Sequence, residues 1–302
     1  MGEEIQQFNL TEVQSKLKKY IEQGHTITSV ARGVGYSLAT ISRILEGKYP
    51  GNVESVVKSI TSFLERQEEI AKVPKEKIPF CKIESARKIF EIARICHNEG
   101  EIGVIYGEAG TGKTTAIIEY AKINPDVILI EADLGYTTKI FFQELHRKIG
   151  MDGNGTIHEL FRDSVERLKD SGRLIIIDEA EHLPYRTLDL VRRIYDKAHI
   201  GILLVGLPRL VFNLRGKRGE YAQLYSRIGM AIKVTFDASD AEKIVHSMFA
   251  HSNGLYKLYY EKSAGNIRLL EKLIIRSKRI AKINKQEIDE RLINKVSDMF
   301  IK

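Results

Sequence analysis

Short aliphatic runs alternate with stretches of helical period through the middle of this chain. Residues 102–106, 127–131, 174–178, 200–205 and 231–235 are brief, apolar and rich in β-branched side chains, so each predicts a strand. Residues 83–96 carry a helical period ahead of the first strand, and residues 115–121 read as a helix after it. Strands divided by helices imply an α/β core, a parallel sheet with helices on both faces. From Asp237 onward the strand signals vanish. Three or four helices follow, divided at Asn253-Gly254, Gly265-Asn266 and Asn284-Lys285, and predict a helical lid.

Residues 27–46 carry the pattern of a helix-turn-helix. Val30, Val34, Tyr36, Ile41 and Ile44 fall where such a unit buries its apolar face, small Ala31 permits close crossing, and Gly35 tolerates the turn. Ser37 is a good N-cap for the second helix, which would present Ser37, Thr40, Ser42 and Arg43 to base edges or phosphates, with Lys48 nearby. A helix pair used only for protein contact has the same pattern, so both readings stand at this point. Residues 53–64 continue as an amphipathic helix. Residues 66–77 are charged and broken by Pro74, which reads as a mobile linker ending near Pro79. The expected organisation is a helix-turn-helix domain over 1–65, a linker over 66–80, the α/β core over 81–236 and the lid over 237–302.

A length of 302 residues accommodates such a core with small attachments. The net charge of +7 favours an acidic partner, of which nucleic acid is the commonest. Cys81 and Cys96 have neither metal-binding nor redox spacing. No apolar run approaches a membrane span and the N-terminus lacks a signal peptide's apolar core, so a cytoplasmic protein without membrane contact is expected.

Candidate chemistry concentrates in two segments. Gly107-Glu108-Ala109-Gly110-Thr111-Gly112-Lys113-Thr114-Thr115 lies between a predicted strand and a predicted helix. Its glycines let successive N–H groups converge on phosphate oxygens, Lys113 adds a point charge, and Thr114 offers a hydroxyl to a phosphate-bound Mg2+. Downstream, four aliphatics run into Asp178 and Glu179, a buried strand delivering two carboxylates to the crevice where such sheets bind ligands. Asp178 is the metal-side carboxylate and Glu179 the base that polarises a water. The pair predicts an ATP or GTP site with hydrolysis.

The order of these motifs resembles the AAA+ P-loop ATPases. That resemblance makes Arg227, in Tyr225-Ser226-Arg227-Ile228-Gly229, the arginine that reaches a neighbouring subunit's nucleotide, and Arg268, in Gly265-Asn266-Ile267-Arg268, the lid arginine that reports phosphate state. One departure is plain. Gly206 and Leu207 stand where the family's first sensor carries a polar side chain, which implies slow turnover without a partner. Domain order, with the phrase Asp178-Glu179-Ala180-Glu181-His182, is similar to the target-DNA-selecting ATPases of phage Mu-type transposition, and more loosely to the TnsC and TniB regulators. Membership there implies ATP and Mg2+ as cofactors, hydrolysis stimulated by DNA and transposase, ATP-dependent self-assembly as a filament or ring, and largely non-specific double-stranded DNA and a transposase as partners. By the same analogy DNA would meet Thr138 and Lys139, with Arg147 a weaker choice, and the basic group Arg209, Arg215, Lys217 and Arg218. A solubilising loop has the same composition. A replication initiator or helicase loader, and a nucleotide-switched transcription regulator, remain as alternatives.

Overall fold

The computed structural model describes residues 2–72, 78–216, 222–249 and 254–300, and the chain divides into two compact units, Met1–Lys77 and Ile78–Lys302.

In the first unit α1 (Gly2–Glu22) and α4 (Val53–Lys72) pack with the short pair α2 (Ile27–Val34) and α3 (Leu38–Leu45). The Thr26 hydroxyl accepts the Ser29 N–H at 3.1 Å and starts α2; Gly35 ends it at φ 76°. Ser37 caps α3 by accepting the Thr40 N–H at 3.1 Å. Val30, Ile41 and Ile44 are buried with Val13, Leu17, Val56 and Ile60. Each large side chain buried in this way contributes about 1.5–3 kcal/mol. A Cβ on Gly33 would lie 2.3 Å from the Phe63 ring, which would have to shift to admit it. The unit is a pair of short helices joined through Gly35 and closed by two flanking helices, of which α1 had no sequence signal. The expected linker needs correction: α4 runs on through Arg66 to Lys72, because Arg, Gln, Glu, Ala and Lys are good helix formers even without an apolar face. Residues 73–77 lie outside the described residues.

The second unit is built on β1 (Ile102–Tyr106), β2 (Val127–Glu131), β3 (Leu174–Asp178), β4 (Gly201–Gly206) and β5 (Ile228–Lys233), ordered β2-β3-β4-β1-β5 with all pairs parallel. β5 begins at Ile228 and not near Ala231, because an edge strand is only half buried and its apolar run is interrupted by Gly229. Strand side chains alternate between two cores. Ile105, Ile176, Leu203 and Val205 face α5 (Glu84–Glu99) and α6 (Lys113–Ile123). Val104, Ile175, Ile177 and Leu204 face α7 (Thr138–Lys148), α8 (Ile157–Leu168), α9 (Tyr185–Ala198), α10 (Arg209–Arg215) and α11 (Ala222–Tyr225).

The lid comprises α12 (Ala238–Met248), α13 (Tyr256–Ser263), α14 (Ile267–Asn284) and α15 (Glu290–Ser297). Its apolar faces merge with the first of those cores through Ala241, Tyr259, Leu270 and Ile293. Buried Asp240 adds a polar tie, accepting the Glu84 and Ser85 N–H groups at 2.7 and 3.2 Å and so capping α5, whose own N-cap residue, Ile83, has no side-chain acceptor. No helix among the described residues is long and apolar enough to cross a membrane.

Candidate functional site

The loop from Gly107 to Gly112 leaves β1 and enters α6 within a space that excludes larger residues. A Cβ on Gly107 would lie 2.3 Å from the Val234 carbonyl oxygen, and one on Gly110 would lie 2.2 Å from Asn266 Oδ1. Gly110 and Gly112 take φ of 82° and 87°, where an L side chain is strained. Lys113 Nζ bridges the loop, donating to the carbonyls of Gly107 at 2.8 Å and Glu108 at 2.9 Å. Burial pushes its ammonium below the usual range, against the pull of Asp178, Glu179, Glu181 and Glu108.

Thr114, in the first turn of α6, donates its hydroxyl to Asp178 Oδ2 at 2.7 Å. This links the loop to the end of β3. Burial raises Asp178 above the usual carboxylate range, opposed by that bond and by the Glu179 N–H, which donates to Oδ1 at 3.0 Å. A hydroxyl and a carboxylate meeting at this distance are the hard oxygen donors that suit Mg2+. Glu179 holds φ 52°, ψ 36°, a left-handed backbone that costs a side-chain-bearing residue roughly 1–3 kcal/mol. Glu179 lines a cleft of about 110 Å³ together with the loop and with Ile267, Arg268 and Glu271. The cleft is narrow because α14 lies on the loop, with the Ile267 N–H donating to the Gly110 carbonyl at 2.8 Å. A larger open groove of about 1030 Å³ runs along α5 beside Phe90, Arg94 and His97 and past Tyr120 at the C-terminal end of α6. It contains none of the loop or strand-end groups, so the chemistry belongs to the smaller cleft.

The two arginines are placed differently. Arg268 is exposed in the first turn of α14 and lines the cleft. Arg227 directly precedes β5, while the loop follows the opposite end of β1, about 16 Å away at the rise of a strand. Its Nε donates to Asp196 Oδ1 at 3.0 Å and the side chain is half exposed.

Among the nucleic-acid candidates, Ser37, Arg43 and Lys48 are exposed, whereas Thr40 and Ser42 are half buried. The Ser37 and Thr40 hydroxyls lie 2.9 Å apart, and Lys48 sits 3.5 Å from Glu46. Lys139 and Arg147 are exposed on α7. Thr138 is corrected: it is buried, and its hydroxyl accepts from Thr187 at 3.0 Å, because Thr137 takes the capping position and turns Thr138 inward. Arg215 lies over the Tyr225 ring at 5.4 Å. Lys217 and Arg218 lie outside the described residues.

No motif in the sequence gives Glu181, His182 or Asn213 a role of its own. Glu181 and His182 form a 3-10 turn with Ala180 directly after Glu179, and that turn is tied to α10. Asn213 Nδ2 donates to the Glu181 carbonyl at 3.2 Å, and Arg209 Nη2 lies 3.0 Å from His182 Nε2. The only sequence signal was the density of charge in Asp178-Glu179-Ala180-Glu181-His182.

Comparison with known proteins agrees with this geometry. Residues 96–214 match the AAA domain family. The ATP-dependent target DNA activator B of Escherichia phage Mu is 30% identical over 225 residues, which cover 73% of this chain and 72% of that protein. The Mu-like prophage FluMu DNA transposition protein B of Haemophilus influenzae is 29% identical over 223 residues, covering 71% of this chain and 77% of its own. Among solved structures, the Aeropyrum pernix ORC2 protein superposes with a TM-score of 0.54 at 16% identity, covering 76% of this chain and 71% of that one, a likeness of fold.

Proposed function

The chain belongs to the family of Mu-type ATP-dependent target DNA activators, carried on an AAA ATPase core, and from that premise we propose that it assembles on target DNA with ATP, recruits and stimulates a transposase, and leaves the DNA on hydrolysis. The observation that carries the ATPase part is the bond from Thr114 to Asp178, which joins the phosphate-binding loop to the strand end that presents Glu179.

In this reading Lys113 exchanges its loop carbonyls for the β- and γ-phosphate oxygens. Thr114 and Asp178 would hold Mg2+, which would supply positive charge against the phosphate oxygens when bound. Glu179 accepts a proton from a water as its oxygen bonds to the γ-phosphorus, and the bond to the β–γ bridging oxygen breaks to give ADP and phosphate. Arg268 meets the phosphates from the lid, and Arg227 meets those of a neighbouring copy. Replacing Lys113 by Ala is expected to weaken ATP binding about 10- to 100-fold, or ~1.4–2.8 kcal/mol, because a buried ammonium is lost where charge-assisted bonds to phosphate would form. A titration with a fluorescent ATP analogue measures it.

For DNA, the reading puts phosphate contacts on the core at Lys139, Arg215, Lys217 and Arg218, with Ser37, Thr40, Ser42, Arg43 and Lys48 of the helix-turn-helix as a second surface. The test is binding to random duplex DNA with a slowly hydrolysed ATP analogue, read by anisotropy over a salt series and by electron microscopy for filaments. Deleting residues 1–77 should leave most ATP-dependent binding. Lys139→Ala with Lys217→Ala and Arg218→Ala should lower affinity for every sequence and reduce the salt slope by about one per lost contact. Binding abolished by the deletion and untouched by the triple substitution would move DNA recognition to α3 and remove the filament reading.

A further inference from the structure

One buried carboxyl beside the cleft has no part in the reaction above. The Glu181 side chain is fully buried, its Oε1 accepts the Leu207 N–H at 3.1 Å and lies 3.6 Å from Arg209 Nε, and its Oε2 has no hydrogen-bond partner. Buried polar atoms are normally satisfied, so the orphan oxygen calls for a donor. It is held against Gly206, the last residue of β4, where a Cβ would lie 2.0 Å from Oε2. The strand end therefore carries no side chain because the Glu181 carboxyl occupies that volume. Gly206 and Leu207 line the cleft together with Glu179. One carboxylate oxygen each of Glu179 and Glu181 and one ring nitrogen of His182 lie within 4.8 Å of one another. A water that donates both hydrogens at ordinary bond lengths spans two acceptors about 4.4 Å apart.

Resting on the ATPase reading of this cleft, we infer that Glu181 is a second acceptor for the attacking water, supplying from the turn after β3 the polar group that the end of β4 lacks. The water gives one hydrogen bond to Glu181 Oε2 and its proton to Glu179; Glu181 neither gains nor loses a proton. The Leu207 N–H and Arg209 fix the carboxyl from its other oxygen. Two acceptors constrain the water's orientation as well as its place, which is where a positioning group acts on rate.

The test uses the full chain with duplex DNA, Mg2+ and ATP. Glu181→Gln keeps an acceptor for Leu207 but turns an amide towards the water, and is expected to lower kcat about 10- to 100-fold with KM and ATP affinity changed less than about threefold. Glu181→Ala empties the volume over Gly206, and adding Gly206→Ser returns a hydroxyl there. The double variant should regain at least about fivefold in kcat over Glu181→Ala, whereas Gly206→Ala in the same background fills the space without an acceptor and regains nothing. Melting temperatures separate this from a packing role, in which Ser and Ala would restore stability alike and rate not at all. Parental kcat in Glu181→Gln, or equal effects of Ser and Ala, overturns the inference while leaving the ATPase reading intact. A parent chain that binds ATP but does not hydrolyse it overturns both.

Discussion

Glu179→Gln is expected to abolish turnover, lowering kcat about 10²- to 10⁴-fold, while ATP affinity stays within a few-fold of the parent. The substitution is nearly isosteric, so the left-handed backbone at φ 52° is asked to hold a side chain of the same shape. The bond from its backbone N–H to Asp178 Oδ1 survives, because it uses no side-chain atom, and so does the bond from Thr114 to Asp178 Oδ2. Ground-state contacts to phosphate and metal are thus preserved, and only the proton acceptor is lost. Steady-state hydrolysis with saturating DNA, measured beside nucleotide binding, separates the two quantities. Hydrolysis at the parental rate would remove Glu179 from the role and leave the strain at that residue without a chemical reason.

The parts of this fold that could be read from sequence are those whose physics is local or repeats along the chain. β1, β3 and β4 are visible as apolar runs because central strands of a parallel sheet are covered on both faces, and the phosphate loop is visible because its geometry excludes anything larger than glycine at Gly107 and Gly110. β5 is hard to place because Gly229 interrupts its apolar run and none of its positions is fully buried, and α1 gives a weak signal because Val13 and Leu17 are its buried positions among the described residues. Thr138 and Thr137 are adjacent hydroxyls with equal claims to a cap, and only the packing of α7 on α9 decides between them. Glu181 could not be assigned because its partners, Gly206 and Leu207, come from another strand. No spacing rule joins residues that meet only through sheet order. The lid contact of Asn266 and Ile267 on Gly110 is hidden for the same reason.

Arg227→Ala should also lower kcat by about 10³-fold, in the range seen when an arginine supplied to the transition state is removed, and here geometry allows a sharper outcome. Arg227 sits at the start of β5, a strand's length from its own phosphate loop, so it cannot serve its own site without rebuilding the sheet. Within its own chain it is paired with Asp196, which also takes Arg192 at 2.6 Å. An ion pair this exposed contributes at most about 1 kcal/mol, so a purely structural Arg227 predicts near-parental turnover in the Ala variant. A finger acting between chains predicts complementation. In a head-to-tail assembly from equal amounts of Arg227→Ala and Glu179→Gln chains, a site is complete when an intact Glu179 meets an intact Arg227 from its neighbour. With random mixing that ordered pair occurs at about one interface in four, so two inactive proteins should together recover about a quarter of the parental rate. The recovery should peak at equal proportions and fall away on either side, a dependence that contamination with parent chain cannot imitate. Mixed assemblies with no recovery at any ratio would exclude an arginine supplied in trans and return Arg227 to its pair with Asp196.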